Sequence, residues 1–115
     1  GGCKTGEAVI TTAGRLPAKY VVHTVGPVWN GGGNDERKLL SNCYSNALRL
    51  ALDHDARKIA FPNISTGIYR FPKQEAAAIA VNTVNHFAND NPGLEEIIFV
   101  CFDDENFAIY KQLIK

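Results

Sequence analysis

The chain has no methionine, a single tryptophan and no excess charge of either sign. Its 12 Lys and Arg residues balance 12 Asp and Glu residues, which gives a formal net charge of zero. A neutral chain has no overall field that would attract nucleic acid or an anionic membrane. An anion that binds here must therefore be held by local groups, above all by backbone N–H donors.

Cysteine is also scarce, and its spacing excludes two common classes. Cys3, Cys43 and Cys101 are odd in number and far apart, which argues against a disulfide framework. No C-x-x-C pair exists, so we expect no zinc site and, more generally, no metal and no cofactor. No signal peptide and no apolar run of bilayer length occur. These features favour a reducing compartment and predict a cytoplasmic location.

The length and the first residues bound the domain organisation. A chain of 115 residues, 45% hydrophobic and 21% charged, suits one domain with a modest core. The opening sequence Gly-Gly-Cys-Lys-Thr-Gly resembles the inside of a domain and has no initiator methionine. We therefore expect that an upstream part is missing.

The pattern of apolar residues predicts an α/β fold. The predicted strands are 7–12, 20–25, 58–61 and 97–102, and the predicted helices run from 34 to about 53, from 72 to 87, and from 103 or 104 onward. Alternation of strands and helices predicts parallel strands joined by crossovers. The first two strands are joined by too short a link for a crossover, so they should pair antiparallel. The expected sheet is mixed and mostly parallel.

Several details of these elements are open to test. Asn34 is the expected N-cap of the first helix, Pro72 the first residue of the second, and Asp103 or Asp104 the N-cap of the third. The continuously apolar run 97–102 predicts a strand covered on both faces. The expected buried positions on the second and third helices are Ala76, Ala80, Val84 and Phe87, and Phe107, Tyr110 and Ile114.

The segment from Phe61 to Pro72 is the most informative one for function. It joins a strand to a helix, where open α/β sheets bind ligands and where backbone amides and the helix N-terminus attract anions. It contains two hydroxyls, a glycine and two aromatic rings, which suits a phosphate attached to a ring. The alternative is an ordinary turn, since Asn, Ser and Gly favour turns for conformational reasons. It has neither the Walker ending nor the dinucleotide fingerprint.

Three segments together resemble a known family. They are TGEAVIT at 5–11, LPAKYVVHTVGP at 16–27 and the stretch NISTGIY followed by Arg-Phe-Pro at 63–72. Their order and spacing are similar to a macro domain, the ADP-ribose-binding module, of the type with ADP-ribosyl hydrolase or O-acetyl-ADP-ribose deacetylase activity. The match runs essentially end to end, over 1–115 as a single domain. It implies a three-layer α/β/α sandwich with a mixed sheet.

The resemblance also implies roles for particular residues. The segment Ser65, Thr66, Gly67, Ile68 and Tyr69 matches the family's second ligand loop, whose amides clasp the diphosphate. Tyr69 matches the aromatic residue beside the distal ribose. Phe102 follows the last strand, where relatives often place an aromatic ring against the adenine, and Asp103 would lie close to it.

One family feature is absent from the sequence. The Asn-Ala-Ala-Asn-type segment and the Gly-rich first ligand loop, which in the family supply most candidate catalytic groups, have no match. The glycines at 31–33 lie downstream of Gly26-Pro27, and we interpret them as a flexible connector. The chain therefore resembles the larger C-terminal part of a macro domain, with its catalytic residues unknown.

Losing two strands would leave a sheet edge open to self-association. Arg70 stands where many relatives have Gly, and it could add a cation facing the phosphates.

The function implied by this resemblance has two main forms. The complete domain would hydrolyse ADP-ribosyl esters, in mono-ADP-ribosylated protein or in O-acetyl-ADP-ribose, with a water nucleophile; this is the Appr-1-p processing type of activity. The alternatives are a reader module that binds ADP-ribose or ADP-ribosylated protein without turnover, and a fragment that has lost activity.

A few single residues have competing interpretations. His23 in an apolar strand suits a hydrogen-bonded core histidine better than a general base. Cys101 suits a small buried hydrophobe better than a nucleophile, because no paired base is evident. Trp29 suits packing better than a partner surface, and Asp103 suits a helix cap better than a catalyst. Tyr69 is the residue least suited to a purely structural role.

Overall fold

Strands and helices follow one another in the predicted order. The computed structural model describes residues 4–12, 20–62, 64, 70–101 and 103–114. Within them the strands are β1 (Ala8–Thr12), β2 (Tyr20–Thr24), β3 (Lys58–Pro62) and β4 (Glu96–Val100), and the helices are α1 (Glu36–Asp53), α2 (Lys73–Asp90) and α3 (Asp104–Leu113). Each differs from its predicted range by a few residues at most, so the α/β prediction is confirmed.

The first two strands form an antiparallel pair. Ala8 lies opposite Thr24, and Thr12 lies opposite Tyr20. A single parallel bridge between Thr5 and Val25 extends the contact beyond the pair. The prediction from the short link is confirmed, because a link of this length can reverse the chain but cannot carry a crossover helix.

The other two described strands form a parallel pair, with α2 as the crossover. Lys58 lies opposite Glu96, and Pro62 lies opposite Val100, so the pairing has no offset. Both strands run in the same direction and end together. Whatever follows β3 and β4 in the chain therefore leaves the sheet at one common edge.

The prediction that β4 is covered on both faces is wrong. Ile98 and Val100 are 47% and 38% exposed, whereas Ile97 and Phe99 pack against the core. Successive side chains of a strand point to opposite faces, so only one face of β4 contacts the helices. The open apolar face agrees with an expected tendency to self-associate, which stays a prediction.

The buried stripe of α3 also differs from the predicted one. Tyr110 is buried as expected, but Phe107 and Ile114 are more than half exposed. The residues that contact the core are instead Asn106, Ile109, Tyr110 and Leu113. These positions follow the same helical spacing, rotated by one residue, because α3 packs against α2 along that side.

The core lies where α1 and α2 pack together over the β3–β4 pair. Leu40, Tyr44 and Leu48 of α1 are completely or almost completely buried. On α2 the buried residues are small, namely Ala76, Ala77, Ala80, Val81 and Val84, which allows a close approach of the two helices. Phe87, predicted to be buried, is only half-buried. The guanidinium carbon of Arg49 lies over its ring, 5.7 Å from the ring centroid. None of the three described helices has the apolar length needed to cross a bilayer.

Two of the three predicted helix starts are shifted by one residue. The N-cap of α1 is Asp35 rather than Asn34; Asp35 has a left-handed φ of 59° and makes no side-chain cap hydrogen bond, and the amide of Asn34 donates to Glu36. Pro72 is the N-cap of α2 rather than its first residue, since its ψ of 124° is extended. The third start is confirmed, with Asp103 as the N-cap of α3.

Candidate functional site

The candidate site lies at the edge where β3 and β4 end together. Pro62 and Val100 are paired there, and the two predicted ligand segments follow them in the chain. Ser65, Thr66, Gly67, Ile68, Tyr69 and Phe102 lie outside the described residues, so their roles stay predictions. The side chain of His23 likewise lies outside the described part. Asp103 and the residues that flank the predicted loop are described.

Asp103 begins α3 and is a helix cap. Its Oδ1 accepts a hydrogen bond from the backbone N–H of Asn106 at 2.7 Å. The side-chain amide of Asn106 donates to both carboxylate oxygens, at 3.2 and 3.1 Å. These bonds, above all the one from the backbone, lower the pKa of Asp103 below its usual value. Asp103 is therefore ionised at neutral pH and engaged by its own helix, which confirms the interpretation as a cap.

An ion pair joins the first turns of α2 and α3. Lys73 Nζ lies 3.2 Å from Glu105 Oε1. The N-termini of the two helices therefore lie side by side at the edge where β3 and β4 end. The N-terminus of α2 presents backbone N–H groups without a side-chain cap and a partial positive charge, and both features favour an anion. At α3 the Asp103 carboxylate already accepts the Asn106 amide, and Asp104 and Glu105 add negative charge.

The chain re-enters the described structure at Arg70, directly after the predicted loop. Arg70 is exposed and has a left-handed φ of 60°, a conformation that glycine adopts without strain. This geometry gives a physical reason for the glycine that the family resemblance places at this position. The next residue, Phe71, is only 1% exposed. The chain after the predicted loop is therefore fixed at Phe71, while the Arg70 side chain is exposed.

The anchor of Phe71 is Trp29. Their ring centroids are 4.8 Å apart at an interplanar angle of 54°. The guanidinium carbon of Arg37 lies over the Trp29 ring, 5.1 Å from its centroid, and the guanidinium also pairs with Glu75 at 2.5 Å. Trp29 is half-buried and contacts both groups, so the interpretation of Trp29 as a packing residue is confirmed.

Glu36 holds the connector that carries Trp29, and sequence reasoning missed it. Its carboxylate accepts hydrogen bonds from three backbone amides: Asn30 at 2.7 Å, Gly32 at 3.0 Å and Asn34 at 2.6 Å. The residue is 1% exposed. The amides, led by that of Asn30, lower the pKa of Glu36 from 4.5 to about 2. The buried carboxylate is therefore ionised, and the three amides that donate to it hold the surrounding backbone in place.

The interpretation of residues 31–33 as a flexible connector is therefore wrong in part. Gly31 and Gly32 have φ values of 84° and 89°, which glycine adopts readily. A Cβ atom on Gly32 would lie 2.9 Å from Arg37 Nη1 and 3.0 Å from the Trp29 ring. The segment is a connector, but Glu36 and close packing determine its path.

The cysteines and acidic residues show no sign of a metal site within the described residues. No group of three or more His, Cys, Asp or Glu side chains in that part could hold a metal ion. The thiol of Cys43 donates to the carbonyl of Val25 at 3.3 Å, and Cys101 packs half-buried against the core.

Taken together, the described residues define an α/β domain with a candidate anion site where its parallel strands end. Comparison with protein families gives the same class by an independent route. The profile of the Macro domain family matches residues 1–80, which is more than half of the chain. The chain belongs to the macro domain family.

Related proteins and structures support this membership. A macro domain-containing protein encoded in a gbd 3' region of Cupriavidus necator is 57% identical over 97% of the chain and 65% of its own length. A Klebsiella pneumoniae protein named O-acetyl-ADP-ribose deacetylase is 54% identical over 99% of the chain and 65% of its own length. The chain thus spans about two thirds of the length of these relatives.

Two solved structures match the fold closely. The Oceanobacillus iheyensis macrodomain, solved with ADP, aligns with a TM-score of 0.90 at 41% identity, over 95% of this chain and 57% of that one. The Trypanosoma brucei macrodomain, solved in complex with ADP-ribose, aligns with a TM-score of 0.91 at 36% identity, over 99% of this chain and 47% of that one. The expected α/β sandwich is confirmed.

Proposed function

We propose that this chain supplies part of an ADP-ribose-binding site, formed by Ser65, Thr66, Gly67, Ile68, Tyr69, Phe102 and Asp103. The observation that carries the proposal is the pairing of Pro62 with Val100. This pairing brings the starts of both predicted ligand segments to one edge of the sheet. ADP-ribose in the related Trypanosoma brucei structure is the ligand chemistry that fits such a site.

The charge distribution at this edge suits a diphosphate. The chain as a whole is neutral, so attraction must come from nearby groups. Arg70 and Lys73 follow the predicted loop, and the N-termini of α2 and α3 lie together through the Lys73–Glu105 ion pair. Asp103 is ionised, and Asp104 and Glu105 lie in the first turn of the same helix, so the proposed attraction for an anion depends on the N-terminus of α2 and on Arg70 and Lys73. Amide donors would bind the phosphates, while aromatic rings would contact ribose and base.

The complete domain would use this site for hydrolysis. We propose that the protein containing this chain cleaves ADP-ribosyl esters, with a water molecule as nucleophile and catalytic groups outside the described residues. The relative named O-acetyl-ADP-ribose deacetylase supports this proposed hydrolytic activity. A reader module would bind ADP-ribose equally well and release no product, so a hydrolysis assay on the complete protein separates the two functions.

The decisive first experiment is a calorimetric titration of this chain with ADP-ribose, with AMP as the control ligand. Binding of ADP-ribose clearly tighter than that of AMP would support a site that reads the diphosphate and distal ribose. Equal affinities, or no binding by a chain that circular dichroism shows to be folded, would contradict the proposal for this chain. The complete protein would then be incubated with mono-ADP-ribosylated aspartate or glutamate peptide beside an active hydrolase.

Replacing Tyr69 with alanine should weaken ADP-ribose binding. If the ring packs on the distal ribose, its loss should reduce the binding free energy by about 1–2 kcal/mol. The Tyr69→Phe variant keeps the ring and should bind within about a factor of two of the original chain. Titration calorimetry on all three chains measures the difference. An unchanged affinity in Tyr69→Ala would show that the ring does not contact the ligand.

A further inference from the structure

The β3–β4 pair has one face toward the helices and one face toward solvent. Ile59, Phe61, Ile97 and Phe99 lie on the helix side, in the core or packed against it. The alternate residues point the other way, because successive side chains of a strand lie on opposite faces. We call these alternate residues the outer face, and all six are exposed: Lys58, Ala60, Pro62, Glu96, Ile98 and Val100.

An open face is unusual for parallel strands. Parallel strands in α/β proteins are normally covered on both faces, because helices pack on either side of the sheet. Here the apolar part of the outer face includes Ile98, which is 47% exposed, and Val100, which is 38% exposed. Removing such side chains from water stabilises an association. The outer face therefore has the character of a contact surface.

The outer face is charged at one end and apolar over the rest. Its three rows follow from the register, which pairs Lys58 with Glu96, Ala60 with Ile98 and Pro62 with Val100. Among the described residues, neither Lys58 nor Glu96 takes part in an ion pair. One positive and one negative side chain are thus exposed next to each other and available to a second molecule.

We propose that a second copy of this chain covers the outer face, related to the first by a twofold axis parallel to the strands. This axis places β3 of each copy over β4 of the other. Lys58 then faces Glu96 of the partner subunit, and the symmetry repeats the contact. The small side chain of Ala60 faces the larger Ile98 of the partner subunit. Since all four strands run in one direction, the candidate ligand edges of both copies lie at the same end of the dimer.

Charge selects this arrangement over the other face-to-face one. A twofold axis perpendicular to the strands would place Lys58 and Glu96 over the apolar end of the partner copy. Their charges would then lose water without gaining an opposite charge. The net charge of zero adds no overall repulsion between copies. Only the axis along the strands makes the outer face complementary to itself.

The size of the outer face sets the strength of the association. Two strands of 5 residues each present an area of roughly 16 Å by 10 Å. A stable dimer buries about 800 Å² per partner, which is several times more. We therefore expect a weak, reversible dimer with a dissociation constant of about 0.1–1 mM.

Sedimentation equilibrium of this chain, from about 10 µM to about 1 mM, measures this association. Ile98→Glu puts a charge at the centre of the outer face and should raise the dissociation constant at least about 10-fold. The matched control is Phe107→Glu, which changes another apolar residue, 58% exposed on α3. Its dissociation constant should stay within about a factor of two of the original value.

An exchange of charges tests the proposed axis. Lys58→Glu places two carboxylates opposite each other at both charged contacts, and it should weaken the association about 10-fold. Adding Glu96→Lys to this variant restores opposite charges across the axis. The dissociation constant should then return to within about threefold of the original value. Circular dichroism at low concentration shows that each variant is folded.

Any of three results would overturn the inference. A chain that stays monomeric at about 1 mM would exclude a second copy as the occupant and leave another part of a longer protein, or a different protein. Equal weakening by Ile98→Glu and Phe107→Glu would show that the copies meet elsewhere. No recovery in the variant with exchanged charges would exclude the twofold axis along the strands.

Discussion

Replacing Phe71 with alanine should lower the free energy of unfolding by about 3–5 kcal/mol, the range found when a buried aromatic ring is removed from a core. Phe71 is 1% exposed and packs directly on Trp29. A domain of this size is stabilised by roughly 5–15 kcal/mol in total. The variant should therefore be close to unfolding at physiological temperature.

The expected loss is at the high end because the neighbours cannot fill the space. The guanidinium of Arg37 also lies over the Trp29 ring and in turn pairs with Glu75. Partial collapse of a cavity reduces the destabilisation, and a ring fixed in this way has little freedom to move. Urea denaturation followed by circular dichroism measures the change, with the fluorescence of the single tryptophan as a second probe.

The matched control is Phe107→Ala. Phe107 is 58% exposed on α3, so the same chemical change removes little buried surface. We expect its free energy of unfolding to stay within about 0.5 kcal/mol of the original value. A loss below about 1 kcal/mol in Phe71→Ala would contradict the packing described for this ring.

The sequence carried enough information to predict the order and pairing of the elements. Strand and helix periodicity placed β3, α2 and β4 in a crossover, which dictates their parallel pairing. The short link between β1 and β2 dictated the antiparallel pair. Asp103 was predictable as a cap because a carboxylate before a helix accepts the free amides of its first turn. These features depend on neighbours in sequence.

Features that depend on distant contacts could not be predicted in the same way. The run 97–102 is apolar at every position, but the sequence does not say which face of β4 the helices cover, so the exposure of Ile98 was missed. Phe107 is apolar and at helical spacing, yet α3 turns its other side to α2. An apolar pattern reports which residues can be buried, and tertiary packing decides which of them are.

For the candidate site, too, the sequence predicted some residues and the structure was needed to find others. The predicted ligand segment 65–69 comes from its sequence and the family resemblance, and its roles remain predictions. The role of Glu36 came only from the structure, because in the sequence it looked like an ordinary acidic residue in a first helical turn. Its importance lies in the backbone amides of Asn30, Gly32 and Asn34 that it accepts from, and no residue type in the sequence marks those amides.

Replacing Glu36 with glutamine should lower the melting temperature at pH 7 by roughly 5 °C or more. The carboxylate accepts from the amides of Asn30, Gly32 and Asn34 with its two oxygens. Glutamine has one oxygen, so its NH2 group must face at least one of these N–H donors. A buried donor would then be left without its acceptor, and the connector that positions Trp29 would loosen.

The pH dependence of this effect gives a sharper test than its size. The folded-state pKa of Glu36 is about 2, below the ordinary value of 4.5 that applies when the chain is unfolded. The ionised carboxylate therefore stabilises the fold fully above about pH 4.5, and its contribution declines as the pH falls toward about 2. The difference in melting temperature between the original chain and Glu36→Gln should be constant above pH 5 or so and should shrink below it.

The control for the pH series is Glu95→Gln, because the side chain of Glu95 is exposed. It should melt within about 1 °C of the original chain at pH 7. General acid destabilisation lowers the melting temperature of all three chains together, so only the difference reports on Glu36. A difference that persists unchanged down to pH 2 would mean that shape rather than charge at position 36 holds the connector. A difference that closes with acid would identify the buried carboxylate as the group that organises the chain around Trp29.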